Sequence, residues 1–460
     1  MAKIILPNKP LAVNPLKVSQ PMGASLAFLG LARAMPLEHG ALGCTAFSKV
    51  FFSRHFREPI PLQTTAMDPM VTVMGADDNV VEALRTVAEK HRPDIIGLLT
   101  TGLAETQGAD IARTVKLFRS RHPEYDGMNV VPVSTPDTLG SLETGFASAV
   151  EAIINELVPA VPARRRRVEQ VNVLVSSMLT SGDIEAVSEW IEAFGLHPVI
   201  LPDIGDSMDN GLSAAGFSTL TYGGTPRSEI AHMGESVATL VIGPSLRRAA
   251  DLLKARTGIA DYRFAGLMGL DECDAFTQAL SNISCRAVPR RIERKRAQLL
   301  DAMIDCHFQF STARIAVAAD ADLLGMLTRF LVGEGAEVVA AVASARADSL
   351  AALPLESVIV GDLEDLENAA RNGRTDLVIA NSHGAETAAR LGVPLMRAGF
   401  PQYDCIGGYT RTWIGYRGTR QILFDIANLL SNRQEIAPYR SMYRQENNAN
   451  RQTAADNRTH

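Results

Sequence analysis

The chain lacks the signatures that most often accompany its kind of patterning. No GxGxxG follows a candidate strand with an acidic residue about twenty positions on, so the dinucleotide fingerprint is missing. No GxxxxGKS or GxxxxGKT is present, which removes a P-loop, and there is no GxSxG elbow and no HExxH metal helix. The five cysteines are odd in number and no two form a CxxC, which excludes a disulfide framework and favours a reducing compartment. No apolar run is long enough to span a bilayer, and the opening MAKIILPNKPLAVNP is broken by Pro7, Pro10 and Pro15, so no signal peptide is expected. A net charge of -6 leaves no global basicity for nucleic acid. The expectation is a soluble, cytoplasmic protein.

What is present is an alternation. At 460 residues the chain is too long for one core and suggests two or three domains. DDNVVEALRTVAEKH reads as a helix, RPDIIGLLTTG as a buried strand and turn, ADIARTVKLFRSRHP as a helix, MNVVPVSTPD as a strand, and a helix follows from about Leu142 to Leu157. Strand, small or polar turn and amphipathic helix in this order predict a parallel α/β sheet. VPAVPARRRRV, Val158–Val168, reads as a boundary whose arginines form a solvated linker. The same grammar restarts with VNVLVSSM and again with RIAVAAD. The predicted organisation is an N-terminal arm and first Rossmann-like domain over 1–163, a second over 164–295, a third over 296–430, and a polar tail over 431–460. The fold class is α/β with three Rossmann-like domains and parallel sheets.

One stretch stands out, PLEHGALGCTAFSKVFFSRHFREP from Pro36 to Pro59. Pro36, Gly40 and Gly43 predict a tightly bending loop. Phe47, Val50, Phe51 and Phe56 recur at helical spacing, which puts Cys44 at or near a helix N-terminus, where exposed N–H groups and the helix dipole favour a thiolate. Such a thiol serves as a metal ligand, a structural group, or a nucleophile or redox switch, and the local residues leave all of these open. His39 and His55 are the nearby bases but have no visible orienting partner. His39 is read as shaping the loop and His55 as packing or hydrogen-bonding at the helix end. Cys273, Cys285, Cys306 and Cys405 are dispersed and read as small buried hydrophobes. Cys306 and His307, adjacent on a helix, do not face each other.

HGALGC followed by RHFREP resembles the β-type subunit of the nitrogenase component 1 superfamily. SQPMGA (Ser19–Ala24), TTGLAETQGADI (Thr100–Ile111) and PLMRAGFPQYD (Pro394–Asp404) agree with it, so the resemblance runs from the N-terminal arm to about Leu429. It implies three Rossmann-like domains, as the alternation does. In the catalytic β subunit the first three of these segments would each carry a cysteine for the eight-iron P-cluster. Here the first position is Ser19 and the third Gly102, and only Cys44 remains. Glycine has no ligand atom, and a serine hydroxyl is a poor substitute for thiolate toward iron–sulfur chemistry.

The resemblance therefore turns toward the β-like half of the scaffold on which the nitrogenase iron–molybdenum cofactor is matured. It implies no catalytic residue in this chain, which would be a scaffold subunit rather than an enzyme. Cys44 would be its one metal-binding and cofactor-binding residue, completing a [4Fe–4S] cluster with cysteines of a partner. An iron–molybdenum cofactor precursor would be held mainly by that partner, NifE, in an α2β2 heterotetramer. The nitrogenase iron protein NifH would dock as reductase and NifB would donate the precursor cluster. VTVMGADDN, Val71–Asn79, matches the reductase-facing segment, with Met74 where the family has an aromatic. Ser19 and Asp137 are candidates to lie close to the cluster; the plainer reading puts Ser19 in a turn and has Asp137 cap the following helix. The competing readings are a catalytic nitrogenase β subunit, a light-independent protochlorophyllide or chlorophyllide reductase subunit, a nucleotide-binding enzyme on tandem Rossmann domains, and an iron-free interaction protein.

Overall fold

The computed structural model describes residues 1–9, 15–160, 166–209 and 218–431. Apolar strands such as Ile95–Thr100 and Gln170–Val175 are buried along their whole length, as strands covered by helices on both faces must be. They organise three sheets in which every pairing is parallel. The first is four-stranded, in the order Gln63–Thr64, Ala34–His39, Ile95–Thr100, Asn129–Val133. The second, also four-stranded, runs His197–Leu201, Gln170–Val175, Ala238–Ile242, Asp261–Phe264. The third is six-stranded: Lys3–Ile5, Ser357–Val360, Glu337–Ala343, Arg314–Ala319, Leu377–Ala380, Leu395–Arg397. The α/β class and the parallel sheets expected from the alternation are what the chain forms.

The first and last described elements both cross between units. The N-terminal strand Lys3–Ile5 extends the edge of the third sheet, and Lys9 ties this arm down through Asp362, Glu364 and Asp365 at 2.9–3.0 Å. Helix Gly415–Ser431 packs against helix Arg290–Phe310, and Tyr416 places its ring 5.4 Å from that of Trp190 in the second unit. Asp183, in the first turn of helix Ser181–Glu192, accepts the backbone N–H groups of Trp413 and Ile414 at 2.6 and 3.2 Å, fixing the segment that enters the last helix.

Within the first unit, helix Gln20–Leu29 crosses helix Leu142–Leu157 at backbone distance. A Cβ at Gly23 would collide with the Leu142 carbonyl and one at Gly145 with the Gln20 carbonyl, so two facing glycines set the crossing.

One local expectation fails. Pro36 does not open a loop: Ala34–His39 is a fully buried strand whose Pro36 pairs with Gly97. Proline is tolerated there because the neighbouring strand begins to pair only at Leu37, so the missing N–H interrupts little of a ladder on that side. Of the arginine run, Arg166 and Arg167 are exposed, as expected of a solvated stretch, and each also holds polar partners. Residues 161–165 lie outside the described segments, but Arg166 donates to the carbonyls of Gly234, Ser236 and Thr257, and Arg167 pairs with Glu235 at 2.5 Å. A guanidinium with five donors caps several chain ends at once. The expected polar tail lies, beyond Ser431, outside the described residues.

Candidate metal centre

Cys44 emerges where the first sheet hands over to a helix. Strand Ala34–His39 ends, Gly40 and Ala41 turn the chain, and helix Leu42–Phe56 starts with Ala41 at its N-cap, so Cys44 lies in the first turn as expected. Its N–H closes back on the Ala41 carbonyl at 3.1 Å, and its side chain is exposed.

Helical spacing alone does not say which face of this helix turns inward. Phe47 and Val50 are 60% and 53% exposed, and Leu42 is 64% exposed. The inward face carries Thr45, Ser48, Phe52, His55 and Phe56. The polar members face inward because a carboxylate is buried there. Glu38, with no exposed surface, accepts the hydroxyls of Thr45 at 2.8 Å and Ser25 at 3.1 Å. Burial raises its pKa and these hydroxyls oppose the rise. Phe47 and Val50 are left as an exposed apolar stripe on the helix that carries the thiol.

The expected low thiol pKa is overturned. Burial pushes the Cys44 thiol up, and the charges of Glu38 and Asp137 push it further, which outweighs the favourable helix start. Free in solution, this thiol stays protonated rather than acting as a ready nucleophile. The neighbouring imidazoles are engaged elsewhere. His39 is buried with Nδ1 2.9 Å from the Thr65 hydroxyl, and burial drives its pKa down to about 4. His55 accepts the Gln402 N–H on Nδ1 at 2.9 Å, the hydrogen-bonding role expected of it, and burial lowers its pKa to about 3.

Two of the segments singled out in the sequence meet at Asp137, whose charge acts on Cys44. Ser19 is the N-cap residue of helix Gln20–Leu29, without a side-chain cap bond. The next residue, Gln20, donates its amide to the Leu139 carbonyl, and Lys17 donates to the Asp137 carbonyl at 3.1 Å. Gly102 opens helix Gly102–Gln107, and a Cβ there would lie 3.3 Å from that of Asp137. Asp137 does not cap the following helix: Ser141 and Thr144 do, with Ser141 N–H on the Thr144 hydroxyl at 2.8 Å. The side chain of Met74, which ends helix Pro69–Met74, lies outside the described residues; its neighbours Met70 and Val73 are 75% and 83% exposed.

Of the other cysteines, Cys273 and Cys306 are buried as expected. Cys285 is exposed, because it terminates helix Leu270–Ser284 in a left-handed conformation, and Cys405 is only partly covered. Among the described residues no three His, Cys, Asp or Glu side chains are grouped to hold a metal ion. The donor set is therefore one accessible thiol on an apolar-faced helix, which fits a single ligand of a cluster shared with another chain and no self-contained site. Glu38 and its hydroxyl shell had escaped the sequence reading; a lone acidic residue inside AMPLEH, with Thr45 seven positions on, was the available signal.

Comparison with known proteins bears on the fold and the family. The family profile "Nitrogenase component 1 type Oxidoreductase" matches residues 19–431. The nitrogenase iron-molybdenum cofactor biosynthesis protein NifN of Klebsiella pneumoniae is 47% identical over 446 residues, 97% of each chain. NifN of Bradyrhizobium diazoefficiens is 42% identical, covering 94% of this chain and 92% of its own. A chain of nitrogenase Cp1 solved at pH 6.5 superposes with a TM-score of 0.88 at 28% identity, covering 96% of this chain and 98% of that one. Sheets and relatives agree: the chain belongs to the nitrogenase component 1 family, within its NifN branch.

Proposed function

We propose that this chain is a subunit of the scaffold on which the nitrogenase iron–molybdenum cofactor is built, and that Cys44 is its one ligand to a [4Fe–4S] cluster shared with a partner subunit. The observation that carries the reading is the exposed Cys44 thiol on a helix with exposed Leu42, Phe47 and Val50, with Ser19 and Gly102 at the two positions that would supply further ligands. A cube needs four ligands, so the partner, NifE, would supply the remainder in an α2β2 assembly. When bound, the cluster supplies one-electron transfer.

The chain's own residues do the rest. The first turn of helix Leu42–Phe56 presents the thiol, Glu38 with Thr45 and Ser25 fixes that turn to the sheet, and the apolar stripe excludes water once the partner covers it. The cofactor precursor would be held mainly by NifE and delivered by NifB, and the iron protein NifH would dock near the exposed Met70 and Val73. In this reading the chain presents and shapes surfaces and performs no chemical step itself.

The test is anaerobic co-purification with the partner, followed by iron analysis and low-temperature EPR of wild type and Cys44→Ala. Loss or marked change of one [4Fe–4S] signal, with a second cluster signal kept, is the expected result. Identical spectra would refute Cys44 as a ligand. Iron-free protein in both cases would overturn the metal reading altogether and leave a nucleotide-binding role as the one to examine.

A further inference from the structure

A second concavity takes none of the residues that surround Cys44. Helix Ser181–Glu192 of the second unit, the start of helix Arg290–Phe310 and the first turns of helix Gly415–Ser431 line a cavity of about 580 Å³. That volume is in the range of small-molecule sites. Backbone packing sets its walls. Asp183 holds the N–H groups of Trp413 and Ile414, and a Cβ at Gly182 would collide with the Thr410 carbonyl, so the segment entering the last helix lies flush on the second unit. Gly415 turns that segment into the helix with φ +68°, where a Cβ would also lie 3.2 Å from the Trp190 ring.

Charge on these walls is uneven. Lys295, Arg417 and Arg420 line the cavity, and among the described residues none of the three has a carboxylate within ion-pair distance. Their neighbours are paired. Arg296, next to Lys295, is held in a forked contact by Asp274 at 2.8–3.0 Å, and Arg411, which lines the same cavity, pairs with Asp425. Glu185 and Glu189 line the wall formed by helix Ser181–Glu192, are exposed, and make no ion pair with the three cations. Arg417 and Arg420, three apart on one helix, share a face, and Lys295 comes from another helix. Cations gathered in a concave site repel one another and focus a field that draws an anion in. The flat guanidinium fork matches paired phosphate or carboxylate oxygens, while the ammonium serves as a point charge for either.

We propose that this cavity binds a compact polyanion, a small molecule with two or more phosphate or carboxylate groups, through Lys295, Arg417 and Arg420. One such ligand bridges helix Arg290–Phe310 and helix Gly415–Ser431, while Glu185 and Glu189 keep its acidic groups on the basic side. The site stands apart from the scaffold reading, because it uses neither the Cys44 thiol nor a metal cluster.

The test is isothermal titration calorimetry of the full-length chain with sodium triphosphate and, separately, with tricarballylate, both at one fixed ionic strength so that screening is constant. Saturable binding of at least one of them, at one site per chain, is expected, and the one that binds tells a phosphate ligand from a carboxylate one. Lys295→Gln and Arg417→Gln each remove one charge and are expected to weaken binding about tenfold. Arg420→Gln takes their place if either does not fold. Arg346→Gln removes the same charge from an exposed position in the third unit and is expected to leave affinity unchanged. No saturable binding of either anion, undiminished affinity in the cavity variants, or an equal loss in Arg346→Gln would overturn the proposal.

Discussion

Thr45 donates its hydroxyl to Glu38 at 2.8 Å, tying the first turn of the cysteine's helix to the strand beneath it. Glu38 has no exposed surface, so losing one of its donors leaves a buried carboxyl under-bonded rather than hydrated. Thr45→Val keeps the shape and removes the hydroxyl. The expected cost is about 1–3 kcal/mol, read as a lower urea midpoint with an unchanged denaturant slope. A midpoint equal to wild type would mean that Ser25 and Ser48 satisfy Glu38 without it.

That contact also marks where sequence reading stops. Fully covered strands such as Ile95–Thr100 announce themselves as apolar runs, and helices closed by glycine do so by periodicity, so the α/β alternation was legible. The facing of helix Leu42–Phe56 was not. Its apolar residues recur at helical spacing, but Glu38 draws Thr45 inward and leaves Phe47 and Val50 exposed. Periodicity reports that a face is apolar, not whether its cover belongs to the same polypeptide. The thiol was misjudged for a similar reason: the helix start was visible in the sequence, while the approach of Glu38 and Asp137 exists only in the fold.

The close helix crossing gives a sharp test of packing. Gly23 faces the Leu142 carbonyl, so Gly23→Ala forces helices Gln20–Leu29 and Leu142–Leu157 apart. Overpacking of this kind costs about 1–3 kcal/mol or more, because backbone rather than a flexible side chain must move. Thermal unfolding should show a clear drop in midpoint. Gly43→Ala, whose new methyl meets nothing within 4 Å, is the control and should behave as wild type when the chain is alone.

Phe47, at 60% exposure, should matter only to assembly. Phe47→Asp places a charge on the apolar stripe without touching the core. The isolated chain is expected to keep its unfolding midpoint within about 0.5 kcal/mol. Co-purified partner, measured by size-exclusion chromatography with light scattering, should fall sharply. Full retention of the partner would remove this helix face from the interface.

His55 supplies a pH dependence of definite sign. Its ring is buried among Phe56, Phe400 and Tyr409, and its Nδ1 accepts the Gln402 N–H at 2.9 Å, a bond that only the neutral tautomer makes. Burial holds its pKa down at about 3, against about 6.5 for the unfolded side chain. Below pH 6.5 the unfolded chain therefore binds a proton that the folded chain refuses. The stability contributed by the neutral ring is full above pH 6.5 and is lost as the pH falls toward 3, at no more than about 1.4 kcal/mol per pH unit. His55→Gln offers an amide oxygen to the same N–H and does not titrate. Urea midpoints measured from pH 7.5 down to pH 4.5 should show wild type losing ground against the variant as acid is added. A gap that stays constant across that range would mean that His55 is solvated well enough to take its proton in the folded state.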